Sequence, residues 1–213
     1  MEGDKMQEAA VFVEKCYAPG LSSDELKNVY NEYSTRYDKL MDKLYSGPGQ
    51  IAECMSKVVT DKTSRILDCG AGTGLVGEEL HRHGYNNVDG IDISEGSLKV
   101  ARDKGVYNKL ICSGLSAEPI DGVQKDSYDA AVSSGCFIET HLDDRIFTEL
   151  TRIIKPGGFI CVLVHEKNLD TVEGDTFKYL IEKKALEVID KYYVKNYVYG
   201  NIGAYFYAMK VLC

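Results

Sequence analysis

The sequence lacks tryptophan altogether and holds only four prolines, and none of its apolar runs is long enough to cross a bilayer as a helix. A membrane-spanning helix needs roughly 18 or more consecutive apolar residues. Residues 1–5 are acidic and polar, unlike the start of a secretory signal. We therefore expect a cytoplasmic protein without a membrane partner.

Disulfide and zinc chemistry are also poorly supported. The seven cysteines are scattered along the chain without a C-x-x-C pair. Several of them lie in apolar, strand-like runs, where a thiol behaves as a small hydrophobic group. We expect no metal site and no disulfide framework, in keeping with a reducing compartment.

An excess of basic charge is absent as well. The chain has 25 Lys and Arg against 33 Asp and Glu, which gives a formal net charge of -8. Nucleic-acid binding draws most of its affinity from basic groups that neutralise phosphates. We expect a neutral or cationic small molecule as the partner rather than nucleic acid.

The composition is that of an ordinary globular protein, with 44% hydrophobic and 27% charged residues. Helical spacing of apolar residues predicts helices at 6–17 and 23–45, and the same spacing recurs between residues 51 and 59. Ser22 and Glu25 form a capping-box pattern at the start of the second helix. From residue 65 the pattern changes, so we divide the chain into an N-terminal helical cap or lid, 1–60, and a compact α/β domain, 61–213.

Short apolar strands alternate with helices in this second part, which is typical of a parallel sheet covered on both faces. The predicted strands are 65–69, 87–92, 108–112, 128–133 and 158–164. Helices are predicted near 74–83, 94–104 and 141–154, the last capped by Thr140 with Asp143. After a further helix at 171–187, strands at 191–199 and 204–212 are joined by a glycine-containing hairpin loop, 200–203. We expect a Rossmann-like, seven-stranded, mostly parallel sheet that ends in an antiparallel hairpin.

A glycine-rich turn connects the first strand to the following helix, with Gly70, Gly72, Gly74 and Gly77 in the run. Glycine permits positive φ and close backbone approach to a ligand, and a helix N-terminus favours an anionic group. The alternative is a tight turn that binds nothing.

Asp92 ends the second strand, at the separation of about 20 residues expected for a carboxylate that binds ribose hydroxyls. It could instead be a helix cap, although Ser94 fills that role better. This pattern alone does not separate NAD from S-adenosylmethionine.

Three features favour S-adenosylmethionine over NAD. They are Asp68 two positions before the first glycine, alternate glycines at 70, 72 and 74, and the Lys155-Pro156-Gly157-Gly158 turn before the fifth strand. Together with the hairpin, they resemble class I S-adenosylmethionine-dependent methyltransferases. The resemblance implies that Asp68, Gly70, Gly72 and Gly74 lie at the methionine end of the cofactor and that Asp92 holds its ribose. Further cofactor contacts are expected from Ala71, Ile93, Ser133 and Tyr37.

The motifs also resemble the methyltransferase-like 27 family, named after the Williams-Beuren syndrome chromosomal region 27 protein. The similar stretches are Leu67–Leu80, Val88–Ala101, 105–107 and 114–120, and the resemblance spans roughly residues 30–165. Many class I methyltransferases carry an Asp-Ala pair after the third strand, where this chain has Gly114-Leu115. Leu115 and Ser116 are therefore expected to hold adenine through backbone groups and apolar packing.

Candidates for the transfer itself lie after strands four and five, where ligands bind in open α/β sheets. His141 and His165 are candidate bases, although either could be structural. Cys136 and Glu139 are candidate acceptor contacts. Tyr30 and Tyr33 of the cap are further candidates, although the helix face that carries them could equally pack against the sheet. The Asn-Pro-Pro-Tyr type of sequence found in nucleobase amino-methyltransferases is absent.

These features predict a methyltransferase that transfers a methyl group in line to a small-molecule acceptor under the N-terminal helices, and leaves S-adenosylhomocysteine as the second product. Two other functions stay open. One is a non-catalytic protein regulated by S-adenosylmethionine binding. The other is an NAD-dependent oxidoreductase, which the Asp68 and Lys-Pro-Gly-Gly signals disfavour.

Overall fold

The computed structural model describes residues 2–199 and 201–213. The helices are α1 (Glu2–Cys16), α2 (Ser23–Tyr33), α3 (Tyr37–Met41), α4 (Gly47–Ser56), α5 (Leu75–Arg82), α6 (Glu95–Lys104), α7 (Ile146–Ile153) and α8 (Asp175–Glu182). The strands are β1 (Ile66–Cys69), β2 (Val88–Asp92), β3 (Lys109–Cys112), β4 (Tyr128–Ser134), β5 (Ile154–His165), β6 (Leu186–Val198) and β7 (Ile202–Val211).

The strands form one sheet in the order β3-β2-β1-β4-β5-β7-β6. The first five are parallel, and β7 runs antiparallel between β5 and β6. One buried cluster includes Phe147 of α7 and Phe177 of α8, and a second includes Met55 of α4 and Leu80 of α5. Helices therefore cover both faces of the sheet, and the predicted fold class is confirmed.

The cap differs from the prediction because the helix expected over residues 23–45 is broken. The capping box of Ser22 and Glu25 is present, but α2 ends at Tyr33. The hydroxyl of Ser34 donates to the carbonyl of Asn31, a local bond that competes with continued helix. The short helix α3 then starts at Tyr37, and the cap has a small core of its own around Phe12 and Leu40.

The helix predicted at 141–154 begins only at Ile146. Thr140 does not cap it, because its hydroxyl donates to the carbonyl of Cys16 in the cap. Asp143 instead accepts the backbone N–H of Arg145 in a local turn. The segment from residue 135 to 145 is therefore a long loop beside the carboxyl ends of the strands.

The terminal hairpin is confirmed, although its strands are longer than predicted. The helix expected at 171–187 is a single turn at Leu169–Thr171 followed by α8, so β6 starts at Leu186. Gly200 of the predicted hairpin loop lies outside the described residues. The predicted turn at 155–158 is a bulge at the start of β5, where Gly157 has φ of 86°.

Candidate active site

A cavity opens at the carboxyl ends of β1, β2 and β4, and its empty volume is about 1060 Å³ with the open mouth included. The walls come from the cap, the glycine turn, the end of β2 and the loops that follow β3 and β4. This is the end of the sheet at which ligands bind in open α/β folds.

The glycine turn forms the floor of this cavity through Gly70, Ala71 and Gly72. Gly70 and Ala71 donate their N–H groups to the carbonyl of Ile91, at 2.9 and 3.0 Å, which fixes the turn against β2. Gly70 has φ of 77°, and a Cβ there would lie 2.2 Å from Cys136 Sγ. Only glycine allows this turn to pass under the β4 loop.

Gly74 lies between the glycine turn and α5. It does not line the cavity, and with φ of 91° it leads into α5. A Cβ on Gly74 would lie 3.1 Å from the ring of Tyr107 and 3.2 Å from Cβ of Ala101. This glycine therefore permits close packing of α5 against α6, and a contact of Gly74 with the cofactor stays a prediction.

Asp92 lies at the end of β2 and lines the cavity. Its Oδ2 accepts the N–H of Gly72 at 2.9 Å, and its Oδ1 accepts the N–H of Ser94 at 2.8 Å. Burial raises the pKa of this carboxyl, and the backbone N–H bonds from Ser94 and Gly72 oppose that rise. Because a carboxylate oxygen has two acceptor positions, each oxygen keeps one for a ligand hydroxyl. This geometry fits the two hydroxyls of a ribose.

Asp68 lies beneath the glycine turn and is fully buried, so it does not line the cavity. Its Oδ2 accepts the hydroxyl of Tyr107 at 2.6 Å, and Tyr107 in turn accepts the N–H of Gly77. Asp68 Oδ1 has no hydrogen-bond partner among the described residues. Burial raises the pKa of Asp68 to about 7. The carboxyl is therefore a support for the turn, and its predicted contact with the cofactor stays a prediction.

The other predicted cofactor residues divide into two groups. Ile93, Leu115 and Tyr37 line the cavity. Ser116 is exposed in an adjoining depression that shares Leu115 and His141 with the cavity. Ser133 is buried, and its hydroxyl donates to the carbonyl of Cys69 at 2.8 Å. Cofactor contact by the residues of either group stays a prediction.

Among the predicted acceptor contacts, Tyr30, Cys136 and His141 line the cavity. The Cys136 thiol lies 3.6 Å from the carbonyl of Cys69 and 3.7 Å from that of Gly70, and burial raises its pKa to about 12. Cys136 is thus a neutral thiol packed on the glycine turn.

Tyr33, Glu139 and His165 do not line the cavity. The ring of Tyr33 is buried in the cap, 4.9 Å from that of Phe12. The rings of Tyr30 and Tyr37 also lie within 5.6 Å of the Phe12 ring, but they reach the cavity wall. Glu139 is exposed. His165 ends β5, where its Nδ1 accepts the N–H of Lys167, and burial lowers its pKa.

Tyr30 and His141 contact each other across the cavity wall. The hydroxyl of Tyr30 lies 2.7 Å from His141 Nε2, and the two rings meet edge to face. His141 Nδ1 lies 2.8 Å from Thr140 Oγ1, whose hydroxyl donates to the carbonyl of Cys16 at 2.8 Å. Burial lowers the pKa of His141 to about 4, so the imidazole is neutral at neutral pH.

The sequence prediction missed Tyr45 and Ser134, which also line the cavity. Their hydroxyls lie 2.8 Å apart. Successive side chains of a strand point to opposite faces, so Ser134 faces the cavity where Ser133 does not. That alternation was the available signal for Ser134, whereas no local pattern indicates the placement of Tyr45.

Hydrogen bonds hold the cap against the cofactor end of the cavity. Asn31 Oδ1 accepts the hydroxyl of Ser94 at 2.8 Å and the N–H of Gly96 at 2.9 Å. Asp38 accepts the hydroxyl of Thr73 at 2.5 Å and the ammonium of Lys104 at 2.7 Å. Helices α2 and α3 are thereby tied to the glycine turn and to α6.

The described residues, 2–199 and 201–213, also bear on metal binding and on membrane spans. No cluster of three or more His, Cys, Asp or Glu side chains in these ranges is placed to hold a metal ion. No helix there has both the length and the apolar character needed to cross a bilayer.

Comparison with known proteins gives a consistent result. Residues 67–162 match the methyltransferase domain family. The chain is 29% identical over 136 residues to human Methyltransferase-like protein 27, and the match covers 62% of this chain and 55% of the human protein. The chain thus spans little more than half the length of this relative.

Solved structures share the fold over nearly their whole length. The [4+2]-cyclase SpnF has a TM-score of 0.66 at 16% identity, covering 91% of this chain and 98% of that one. A Methanococcus maripaludis protein assigned as an S-adenosyl-L-methionine-dependent methyltransferase has a TM-score of 0.62 at 15% identity, covering 85% and 93%. Since one of these proteins is a cyclase, the fold alone does not define the reaction.

Residues 67–162 thus match a methyltransferase domain, and the chain has the fold of the class I S-adenosylmethionine-dependent methyltransferases that its motifs resemble. The domain family and the structural neighbours support S-adenosylmethionine as the cofactor. The spare acceptor positions of Asp92 fit that cofactor.

Proposed function

We propose that the protein transfers a methyl group from S-adenosylmethionine to a small-molecule acceptor, under a lid formed by its N-terminal helices. One observation supports this most directly: a single cavity has the glycine turn and Asp92 on one side and the cap residues Tyr30, Tyr37 and Tyr45 on the other. Cofactor and acceptor would therefore share one cavity.

The residues of the chain have distinct roles in this proposal. Asp92 binds the ribose hydroxyls, Gly70–Gly72 accommodate the methionine end, and Ile93 and Leu115 pack on adenine. The bound cofactor supplies both the electrophilic methyl group and its leaving group. The protein therefore has to orient the acceptor in line and exclude water.

The cap tyrosines Tyr30 and Tyr37 would contact the reacting groups. Tyr30 and Tyr37 have ring centroids 6.4 Å apart, and both rings line the cavity. Aromatic faces attract a cation, including a sulfonium. The bonds of Asn31 and Asp38 hold these rings over the cofactor side, which favours a small acceptor over one that is part of a macromolecule.

The test uses methyl-labelled S-adenosylmethionine with a cell extract separated into small-molecule, protein and nucleic-acid fractions. We expect label in the small-molecule fraction with the wild-type protein and none with Asp92→Ala. His165→Ala is the control, because His165 lies outside the cavity, and it should retain transfer. Label confined to protein or nucleic acid would contradict the small-molecule proposal, and tight cofactor binding without transfer to any fraction would favour the non-catalytic alternative.

A further inference from the structure

The hydrogen bonds around His141 define its proton positions. A backbone carbonyl can only accept, so Thr140 must donate its hydroxyl hydrogen to Cys16 O. Thr140 Oγ1 then accepts from His141, which places the hydrogen of the neutral imidazole on Nδ1. The bare Nε2 accepts the hydroxyl hydrogen of Tyr30. The chain of donors therefore runs from Tyr30 through His141 and Thr140 to Cys16.

This arrangement leaves the Tyr30 oxygen, rather than the imidazole, as the group that meets a ligand. Tyr30 lines the cavity and donates its only hydrogen to His141. Its oxygen, which also contacts the Cys16 thiol, keeps acceptor capacity for a ligand. An incoming O–H group can donate to that oxygen without displacing Tyr30 from His141.

The cavity offers little charge to an acceptor. Among the residues that line it, all within the described chain, Asp92 is the one Asp, Glu, Lys or Arg. That carboxylate is held by Gly72 and Ser94 on the cofactor side. An ammonium or carboxylate group of an acceptor would therefore have no oppositely charged partner in the cavity, and burying such a charge is costly.

We propose that Tyr30 and His141 form a proton relay for an uncharged acceptor that is methylated on a hydroxyl oxygen. The inference rests on the proposed methyl transfer. The new acceptor O–CH3 bond forms as the cofactor S–CH3 bond breaks, with its electron pair left on sulfur. The acceptor O–H proton passes to Tyr30 Oη while the Tyr30 proton passes to His141 Nε2, and the imidazolium releases it to water after the product leaves.

The environment of His141 suits an oxygen acceptor better than an amine. Burial lowers the pKa of His141 to about 4, which makes it a weak base. A methylated hydroxyl that still carries its proton is a far stronger acid than an imidazolium, so it gives the proton to the relay. A methylated ammonium is a weaker acid than this imidazolium, so it keeps its proton.

Thr140 and the end of α1 position this relay. Cys16 is the last residue of a 15-residue helix, and carbonyls at a helix C-terminus carry partial negative charge. The Thr140 hydroxyl connects this carbonyl to His141 Nδ1, so it stabilises the imidazolium and holds the ring in place. Thr140 is thus a positioning residue, and Tyr30 is the catalytic one.

The first part of the test is nuclear magnetic resonance of the histidine side-chain nitrogens, with S-adenosylhomocysteine bound and no turnover needed. The chain has four histidines, and His141→Asn assigns the signal. We expect a hydrogen on Nδ1 and none on Nε2, with Tyr30→Phe shifting the Nε2 signal and Thr140→Val shifting the Nδ1 signal. A hydrogen on Nε2 in the wild-type protein would overturn the relay.

The second part measures methyl transfer to uncharged phenols and alcohols, each matched with the amine and the carboxylic acid of the same carbon skeleton. We expect transfer to hydroxyl compounds alone. Tyr30→Phe should lower kcat about 100-fold or more, the usual range of acid–base contributions, and leave S-adenosylhomocysteine affinity within about twofold. Tyr33→Phe is the matched control on the same helix, because its ring lies outside the cavity, and should leave kcat unchanged.

The outcomes separate this inference from the function on which it rests. Preferred transfer to amines or carboxylic acids, or a Tyr30→Phe enzyme within about threefold of wild type, would overturn the relay but leave the methyltransferase intact. Failure to bind S-adenosylhomocysteine, or binding without transfer to any compound or extract fraction, would overturn both.

Discussion

Replacing Asp92 by asparagine should weaken cofactor binding sharply with little change in shape. The wild-type oxygens accept the N–H groups of Gly72 and Ser94 and keep two further acceptor positions. Asparagine turns one oxygen into an NH2 group, which cannot accept, so one ribose hydroxyl and one backbone N–H lose their acceptor. A hydrogen bond to a charged group contributes about 1.5 to 3 kcal/mol. We expect a loss of about 3 kcal/mol, or about 100-fold in Kd.

The assay is calorimetric titration with S-adenosylhomocysteine, which binds without turnover. Asp89→Asn is the matched control, since Asp89 lies at the other end of β2 and accepts from Arg65 and Tyr128, away from the cavity. It should lower stability and leave Kd unchanged. Asp92→Asn binding within about threefold of wild type, or an equal loss in Asp89→Asn, would refute the ribose role.

Three further variants test the supports of the site. Burial raises the pKa of Asp68 to about 7, so between about pH 5 and 7 the folded protein keeps a proton that the unfolded chain has lost. The free energy of unfolding therefore falls as pH rises through this range. In denaturant unfolding, Asp68→Asn should gain about 2 kcal/mol of stability relative to wild type between these pH values, and parallel pH profiles would contradict burial as the cause. Gly70→Ala should lower the free energy of unfolding by about 1 to 3 kcal/mol, because the new Cβ would lie 2.2 Å from the Cys136 sulfur. Adding Cys136→Ala should restore part of this loss, and a Gly70→Ala protein as stable as wild type would contradict this packing. Asn31→Ala removes two bonds to α6 and should speed proteolysis within the cap more than in the sheet, whereas an unchanged cleavage rate would argue against these tethers.

The part of the site that depends on local backbone chemistry could be predicted from the sequence. Glycines between an apolar strand and a helix, with an acid at the end of the next strand, define the turn and Asp92 without knowledge of distant contacts. The strand order follows from the alternation of strands and helices and from the final hairpin.

The acceptor side could not be predicted in the same way, because it depends on contacts between distant segments. The rings of Tyr30, Tyr33 and Tyr37 all contact Phe12 of α1, so which of them reaches the cavity depends on packing against a distant helix. Thr140 was assigned as a helix cap but bonds to Cys16, which lies 124 positions away in the chain. Tyr45 reaches Ser134 across 89 positions, and periodicity gives no indication of either contact.

The central claim is that this cavity binds S-adenosylmethionine, and calorimetric titration of the wild-type protein tests it most directly. We predict saturable, one-to-one binding of S-adenosylmethionine and S-adenosylhomocysteine and no binding of NAD. Preferential binding of NAD, or no binding of either sulfur compound, would contradict the account.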